Sequence, residues 1–366
     1  MKDRWIKWYQ DYQDGRHFRG RRLFGAAARV AAAGYQLGYY LHRRFKMPKE
    51  GKVFRPRARV IAVGNLTVGG SGKTPLVDYI ASRLLRSGRR VAILTRGYGR
   101  RSRERIIINP DQANKYNADL VGDEPLMLAR RLPAATVIID ADRAAAARDL
   151  ERQSSTDVFL LDDALQYHRI ARDRRILTLL SGDLDLPFRF FPAGRWREPP
   201  AEAKKADAVV LLVKSPKPDT RTDQETLITL GFAGPVFPFA YELTSWCNLD
   251  GTPAGFLSLP GTSSVGAFCA LARPDQFFWW LGSRHITIRR VWRFADHCRY
   301  RQKGIDILCT EAQKESLDLL ITTEKDAVKL ARFATRSMRI IYPEVRLSPG
   351  VDAEEFDRFL EQVFDC

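Results

Sequence analysis

The stretch with the most evident chemistry is Val60-Ile-Ala-Val-Gly64-Asn65-Leu-Thr67-Val-Gly69-Gly70-Ser71-Gly72-Lys73-Thr74-Pro75, an apolar run that enters a glycine-rich turn and ends in Gly-Lys-Thr. Glycines let successive backbone N–H groups converge on phosphate oxygens, and a helix starting here adds partial positive charge. Lys73 can then reach the β and γ phosphates of a nucleotide while Thr74 ligates Mg²⁺. Pro75 suits the first turn of that helix, where its missing N–H has no partner to lose. The strict phosphate-loop spacing puts glycine at position 67, where this chain has Thr67. The apolar run before the loop and the helical run after it still support a nucleotide site.

A second run, Val158-Phe-Leu-Leu-Asp162-Asp163, has four apolar residues ending in two acids. It predicts a strand that delivers carboxylate to a metal beside the phosphates. Asp162 continues the strand and Asp163 opens the turn, so one can ligate directly and the other through water. A third short pattern, Gly122-Asp123-Glu124-Pro125, either caps the helix that follows or presents a carboxylate to a site.

Alternating elements position these groups. Strand-like runs cover Val60 to Val63, Arg90 to Leu94, Thr136 to Ile139, Val158 to Leu161, Ile176 to Leu180 and Ala208 to Val213. Helix-compatible segments such as Pro75 to Arg86, Glu124 to Arg131 and Arg143 to Arg152 fall between them. Nearly all-apolar strands alternating with helices imply a parallel sheet covered on both faces. Residues 214 to 235, with Pro216, Pro218 and Pro235, read as a boundary, after which the alternation resumes to a last helix over Asp352 to Phe364. The expected organisation is α/β: an N-terminal helical segment over 1–50, a phosphate-loop nucleotide-binding domain over 51–213, and a second α/β domain over 214–366, with a cleft between the two domains.

Composition narrows the class. The 366 residues are 45% hydrophobic and 28% charged, which excludes a disordered tail protein and a small disulfide scaffold. Net charge is +17, and residues 1 to 50 carry twelve Lys/Arg against four acids, so a seventh of the chain holds nearly half the excess. Within that segment Leu23, Ala27, Val30, Gly34, Leu37 and Leu41 recur at helical spacing and form one apolar face, flanked by Trp5, Trp8, Tyr9, Tyr12, Phe18, Tyr39, Tyr40 and Phe45 among arginines. Aromatic rings interleaved with cations suit the headgroup zone of an anionic membrane. The bland counterpart is a helix docked on the protein's own core. Cys247, Cys269, Cys298, Cys309 and Cys366 show no metal-ligand spacing and read as thiols in a reducing compartment. No cleavable signal peptide is evident.

Seven ordered blocks then bring a family into view. They are Gly64-Asn65 with Gly69 to Pro75, Thr95-Arg96-Gly97-Tyr98-Gly99-Arg100, Gly122 to Pro125, Asp162-Asp163-Ala164-Leu165-Gln166, Pro192-Ala193-Gly194 with Arg197-Glu198-Pro199, Asp296-His297, and Thr323-Glu324-Lys325-Asp326-Ala327. In this combination the chain resembles the tetraacyldisaccharide 4'-kinases, the lipid A 4'-kinases. The resemblance implies transfer of the ATP γ-phosphoryl group to the 4'-hydroxyl of an acylated glucosamine disaccharide 1-phosphate, at the cytoplasmic face of the inner membrane of a Gram-negative bacterium. It implies two α/β domains joined by a β-ribbon hinge. It places catalysis on Asp123 with His297 as partner and on Lys73, nucleotide binding on Thr67, Gly69, Gly70, Ser71, Gly72, Lys73 and Thr74, and Mg²⁺ on Thr74, Asp162 and Asp163. Asn65, Arg96, Tyr98, Glu124, Arg197 and Glu198 fall near the acceptor. The chain departs from the family pattern at Ala164, usually Gly, and in the order Tyr167-His168.

Two other readings compete. A non-transferring nucleotide switch or partner-dependent ATPase would need no lipid, and the dimeric switches of this kind carry a second lysine where this chain has Val68. Nucleic-acid binding by the basic N-terminus would be steeply salt-dependent. The favoured partners are the acylated disaccharide and an anionic membrane surface, with no nucleic acid and no obligate protein partner.

Overall fold

The structure, a computed structural model, describes residues 21–46, 53–185, 187–213, 220–255, 264–335 and 338–365. The expected interface residues from Trp5 to Phe18 lie outside the described residues, as do Pro216, Pro218 and Cys366. Helix α1 (Arg21–Lys46) comes first. Then follow β1 (Arg59–Gly64), α2 (Lys73–Arg86), β2 (Val91–Thr95), β3 (Ile106–Ile108), α3 (Ala118–Val121), α4 (Asp123–Arg131), β4 (Thr136–Ile139), α5 (Arg143–Gln153), β5 (Val158–Leu161), β6 (Arg174–Leu180) and β7 (Ala208–Val213). The chain continues through α6 (Arg221–Thr229), β8 (Val236–Asn248), β9 (Val265–Cys269), α7 (Pro274–Gly282), β10 (Ile288–Arg293), α8 (Gln302–Lys314), β11 (Leu319–Ile321), α9 (Glu324–Leu330), β12 (Arg339–Ser348) and α10 (Ala353–Glu361).

The α/β expectation holds, in a form the strand runs did not disclose. Among the described residues the strands form one 12-stranded sheet ordered β10-β9-β11-β12-β8-β7-β6-β1-β5-β2-β4-β3. Neighbours pair parallel except β12 with β8 and β3 with β4. The antiparallel β8/β12 ribbon therefore joins two parallel sets of opposite sense. Strands β1, β5 and β2 lie side by side, so the loops at their C-terminal ends share one rim.

Packing crosses the break expected between residues 213 and 214. Phe356, Leu360 and Val363 of the C-terminal segment are buried in one cluster with Leu76, Ile80 and Leu84 of α2. Phe356 meets Phe237 and Phe239 of β8 edge-on, each at 5.0 Å between ring centroids. The stretch read as a boundary also contains α6, whose Leu227 is buried against Phe232 and Trp196. The prolines that suggested a linker flank this helix and leave 221–229 free to form it.

Helix α1 meets the body through a face other than the expected apolar one. Ala28 and Ala32 bury against Phe190 and Ala193, with Tyr39 packed beside them. Small side chains allow the close approach. Val30, Leu37, Leu41 and Phe45 remain exposed, Val30 and Phe45 each at 75%. Among the described residues no helix is long and apolar enough to cross a membrane.

Candidate active site

The loop after β1 has the geometry its glycines allow. Gly69, Gly70 and Gly72 take φ of 72°, 55° and 73°, values that favour glycine, and α2 starts at Lys73. Thr67 is not among the positive-φ residues. It instead bridges antiparallel to Trp196, and Val68 N donates to Arg195 O at 2.7 Å. Glycine is therefore not needed where the strict motif has it. Asn65 ties the loop together: its Nδ2 donates to Thr67 O and to Ser71 Oγ, and its Oδ1 accepts from Lys73 Nζ at 3.1 Å.

One strand away, β5 delivers the two acids. Asp162 is 3% exposed; Thr95 Oγ1 donates to its Oδ2 at 3.4 Å, and its Oδ1 has no hydrogen-bond partner. Burial raises its pKa, reinforced by the Glu124 and Asp163 carboxylates. Asp163 turns out at φ 47° to face Arg197 at 3.2 Å and Lys73 at 3.8 Å. Burial opposes its charge, but these two cations hold it below the usual carboxylate range. An orphaned buried carboxylate oxygen, a second carboxylate and Thr74 together fit a hard divalent ion of the Mg²⁺ type. No group of three or more His, Cys, Asp or Glu suited to a metal occurs among the described residues.

The third group sits where α4 begins. Gly122, at φ 99°, turns the chain so that Asp123 starts the helix, buried. Gly122 rather than Asp123 is the N-cap, and the two carboxylate oxygens of Asp123 take separate partners. Oδ1 accepts from Glu124 N at 3.0 Å, while Oδ2 lies 3.3 Å from His297 Nδ1 and 3.6 Å from Lys329 Nζ. Burial alone would raise the pKa of Asp123; the His297 hydrogen bond and the Lys325, His297 and Lys329 charges outweigh it and keep the carboxylate ionised. Burial lowers that of His297, yet the bond to Asp123 makes the net shift upward. The Tyr98 ring tilts onto His297 at 5.0 Å. Tyr98, Asp123, His297, Arg299, Lys329 and Arg332 line a cleft of about 220 Å³.

Of the residues singled out by sequence, Asn65, Thr67, Gly69 to Thr74, Asp162, Asp163 and Arg197 converge on the phosphate loop, and Tyr98, Asp123 and His297 on the cleft. Glu124 connects the groups electrostatically, since its charge acts on Asp162 and its carboxylate pairs with Lys325 at 3.0 Å. Arg96 is exposed just past β2, near Arg143, and Glu198 is buried with its N–H on Leu66 O. Tyr167 packs on Arg143 and donates to Asp142 Oδ1 at 2.9 Å, and His168 lies by Arg172, so neither ring faces the cleft. Sequence reasoning missed Arg273 and Asp183. Arg273 pairs with Asp183 at 3.0 Å, Thr67 Oγ1 reaches the same carboxylate, and a Cβ on Gly69 would meet Ala272 Cβ at 2.6 Å. Neither Arg273 nor Asp183 falls within the seven blocks.

A strand, phosphate loop and helix, with paired acids on the next strand and a separate carboxylate–histidine pair facing a cleft, define a P-loop phosphotransferase. The family model described as tetraacyldisaccharide-1-P 4'-kinase matches residues 26–365. The tetraacyldisaccharide 4'-kinase of Syntrophotalea carbinolica is 36% identical over 84% of this chain and 81% of its own, and that of Geobacter metallireducens 32% identical over 93% and 95%. The crystal structure of the "apo" form of LpxK from Aquifex aeolicus in complex with ATP superposes with a TM-score of 0.65 at 28% identity, covering 94% of this chain and 96% of that one. The chain belongs to the tetraacyldisaccharide 4'-kinase family. It is an ATP-dependent kinase that phosphorylates the 4'-hydroxyl of the tetraacyldisaccharide 1-phosphate in lipid A biosynthesis.

Proposed function

We propose that Asp123 takes the proton of the 4'-hydroxyl as that oxygen attacks the γ-phosphorus, with His297 orienting the carboxylate. The 3.3 Å contact between His297 Nδ1 and Asp123 Oδ2 in the cleft carries this reading. A sugar hydroxyl is a weak nucleophile, and a carboxylate held ionised beside it accepts the proton as the bond to phosphorus forms. Lys73 spreads the γ-phosphoryl charge from the loop, and the loop amides hold the β phosphate. Thr74, Asp162 and Asp163 would hold Mg²⁺, which would supply positive charge to offset that of the transferring phosphoryl group. Arg197, already on Asp163, keeps that carboxylate ionised, and Tyr98 and Glu124 border the acceptor. The segment up to residue 213 supplies the nucleotide half, and the turn after β10 supplies His297 from the facing half.

The same reading places the enzyme at the cytoplasmic face of the inner membrane of a Gram-negative bacterium, working without an obligate protein partner. The exposed Val30, Leu37, Leu41 and Phe45 on a helix docked by its opposite face support an interfacial attachment to anionic lipid. ATP consumption measured in detergent micelles tests the whole. Hydrolysis is expected to be negligible until Mg²⁺ and the acylated disaccharide are both present, then matched by formation of its 4'-phosphate. Rapid hydrolysis without acceptor would favour a nucleotide switch.

A further inference from the structure

Thr323-Glu324-Lys325-Asp326-Ala327 opens α9, and its buried members hold the helix in place. Asp326 is 0% exposed, accepts from Ala270 N at 2.8 Å and from Thr323 Oγ1 at 2.8 Å, and pairs with Lys329 at 2.8 Å. Lys325 is thereby held against the start of α4 and the turn after β10. Its Nζ lies 3.0 Å from Glu124 Oε1, 3.5 Å from Asp296 Oδ1 and 3.4 Å from His297 Nε2. Burial opposes the charge on Lys325, but the Glu124, Asp123 and Asp296 carboxylates outweigh it, so the ammonium form is secure.

An ammonium has three hydrogens to donate and no lone pair to accept with. The imidazole nitrogen facing it must therefore be the unprotonated one. The remaining ring proton then lies on Nδ1, 3.3 Å from Asp123 Oδ2. We infer that Lys325 is a positioning residue for the transfer, fixing His297 as the neutral Nδ1–H tautomer that donates to Asp123. The inference rests on the reading of Asp123 as the base.

The charged and titratable groups facing His297 are Asp123 from α4, Asp296 at 3.9 Å from its Nε2, Lys325 from α9, and the Tyr98 ring. Glu124 and Lys329 act one contact further out, through Lys325 and Asp123, and Arg299 lies behind Gly99, donating to its carbonyl at 2.9 Å. Asp123 and Asp296 favour the imidazolium, while burial and Lys325 disfavour it. Removing the Lys325 charge leaves the carboxylates less opposed, so His297 protonates at higher pH. An Asp123 paired with full imidazolium is a poorer proton acceptor, and the acid limb of kcat/KM moves up with it.

Ring-nitrogen NMR of the full-length enzyme in micelles, with His297 assigned through His297→Gln, tests this without turnover. The unaltered protein is expected to show Nδ1 protonated and Nε2 bare above the His297 titration. Lys325→Met should raise that titration, and the acid limb of kcat/KM, by about one pH unit, with nucleotide affinity retained. Lys325→Arg should restore both. An Nε2–H tautomer in the unaltered protein overturns the proposal, and so does an unshifted titration in folded Lys325→Met. The tautomer needs no variant, so a Lys325→Met protein that fails to fold leaves the decision with the first measurement. Near-normal turnover in Asp123→Ala would remove the base reading alone, because the tautomer is read independently of catalysis.

Discussion

At the scale of single residues, Asp162 shows how the site sets function against stability. Its buried carboxylate has an orphaned oxygen, and burial, Glu124 and Asp163 all raise its pKa. A raised pKa means that the folded protein without metal binds this proton more tightly than the unfolded chain does. Stability from Asp162 is then full at acid pH and declines as pH rises above the ordinary carboxylate value towards the raised one. Asp162→Asn removes the charge, so at neutral pH the nucleotide-free variant should melt a few degrees higher, worth about 1 to 2 kcal/mol, while Mg²⁺-dependent transfer is lost. Calorimetry and a transfer assay check both, and a lower Tm would contradict the assignment. The acid pair itself was legible from an apolar run ending in Asp-Asp. Their partners were not, because Arg197 lies 34 residues beyond Asp163 and no local pattern reports a contact of that span.

At the scale of elements, buried charges lock the phosphate-loop helix to the facing half. Arg131 at the end of α4 is 6% exposed in its side chain and pairs with Asp78 of α2 at 2.8 Å, with Glu324 of α9, and with Val345 O of β12 at 2.9 Å. Without Arg131, Asp78 keeps Arg346 at 3.0 Å but the buried Glu324 loses its paired cation, so Arg131→Ala should cost about 3 kcal/mol, read as a lower midpoint in denaturant unfolding. A loss under 1 kcal/mol would mean that water takes the place of the guanidinium. Helix α1 offers a second test. Val30→Asp with Leu37→Asp adds charge to the exposed face while leaving the Ala28 and Ala32 contact intact, and should weaken sedimentation with anionic vesicles by tenfold or more. Unchanged vesicle binding would assign attachment to other residues. The helix period of α1 was readable from sequence, but which face docks was not. Alanine carries a weak hydrophobic signal, and its role here is to let Phe190 approach. Helix α6 was hidden for a different reason, since the prolines around it dominate the local reading.

At the scale of the molecule, one sheet carries both halves of the site. The antiparallel β8/β12 ribbon reverses strand sense within the sheet, yet Asp123 meets His297, Glu124 meets Lys325, and Gly69 lies against Ala272. Gly69→Ala would add a methyl group at φ 72° and directly against Ala272, so nucleotide affinity should fall together with turnover. Equilibrium ATP titration measures this, and native affinity would show that the loop can move away from the facing half. The alternation of apolar runs and helices made the parallel strands legible, whereas the junction depended on a 13-residue β8 carrying Pro238 and on a C-terminal helix returning to the first core. Sequence period says nothing about either. At this junction Asp123 is the proposed acceptor of the 4'-hydroxyl proton. Single-turnover transfer from ATP to the tetraacyldisaccharide 1-phosphate, run in micelles for native enzyme and Asp123→Ala with ATP affinity measured on the same preparations, tests it most directly. The expected result is a loss of about 10²-fold to 10⁴-fold in transfer rate at unchanged ATP affinity; transfer within a few-fold of native would contradict it.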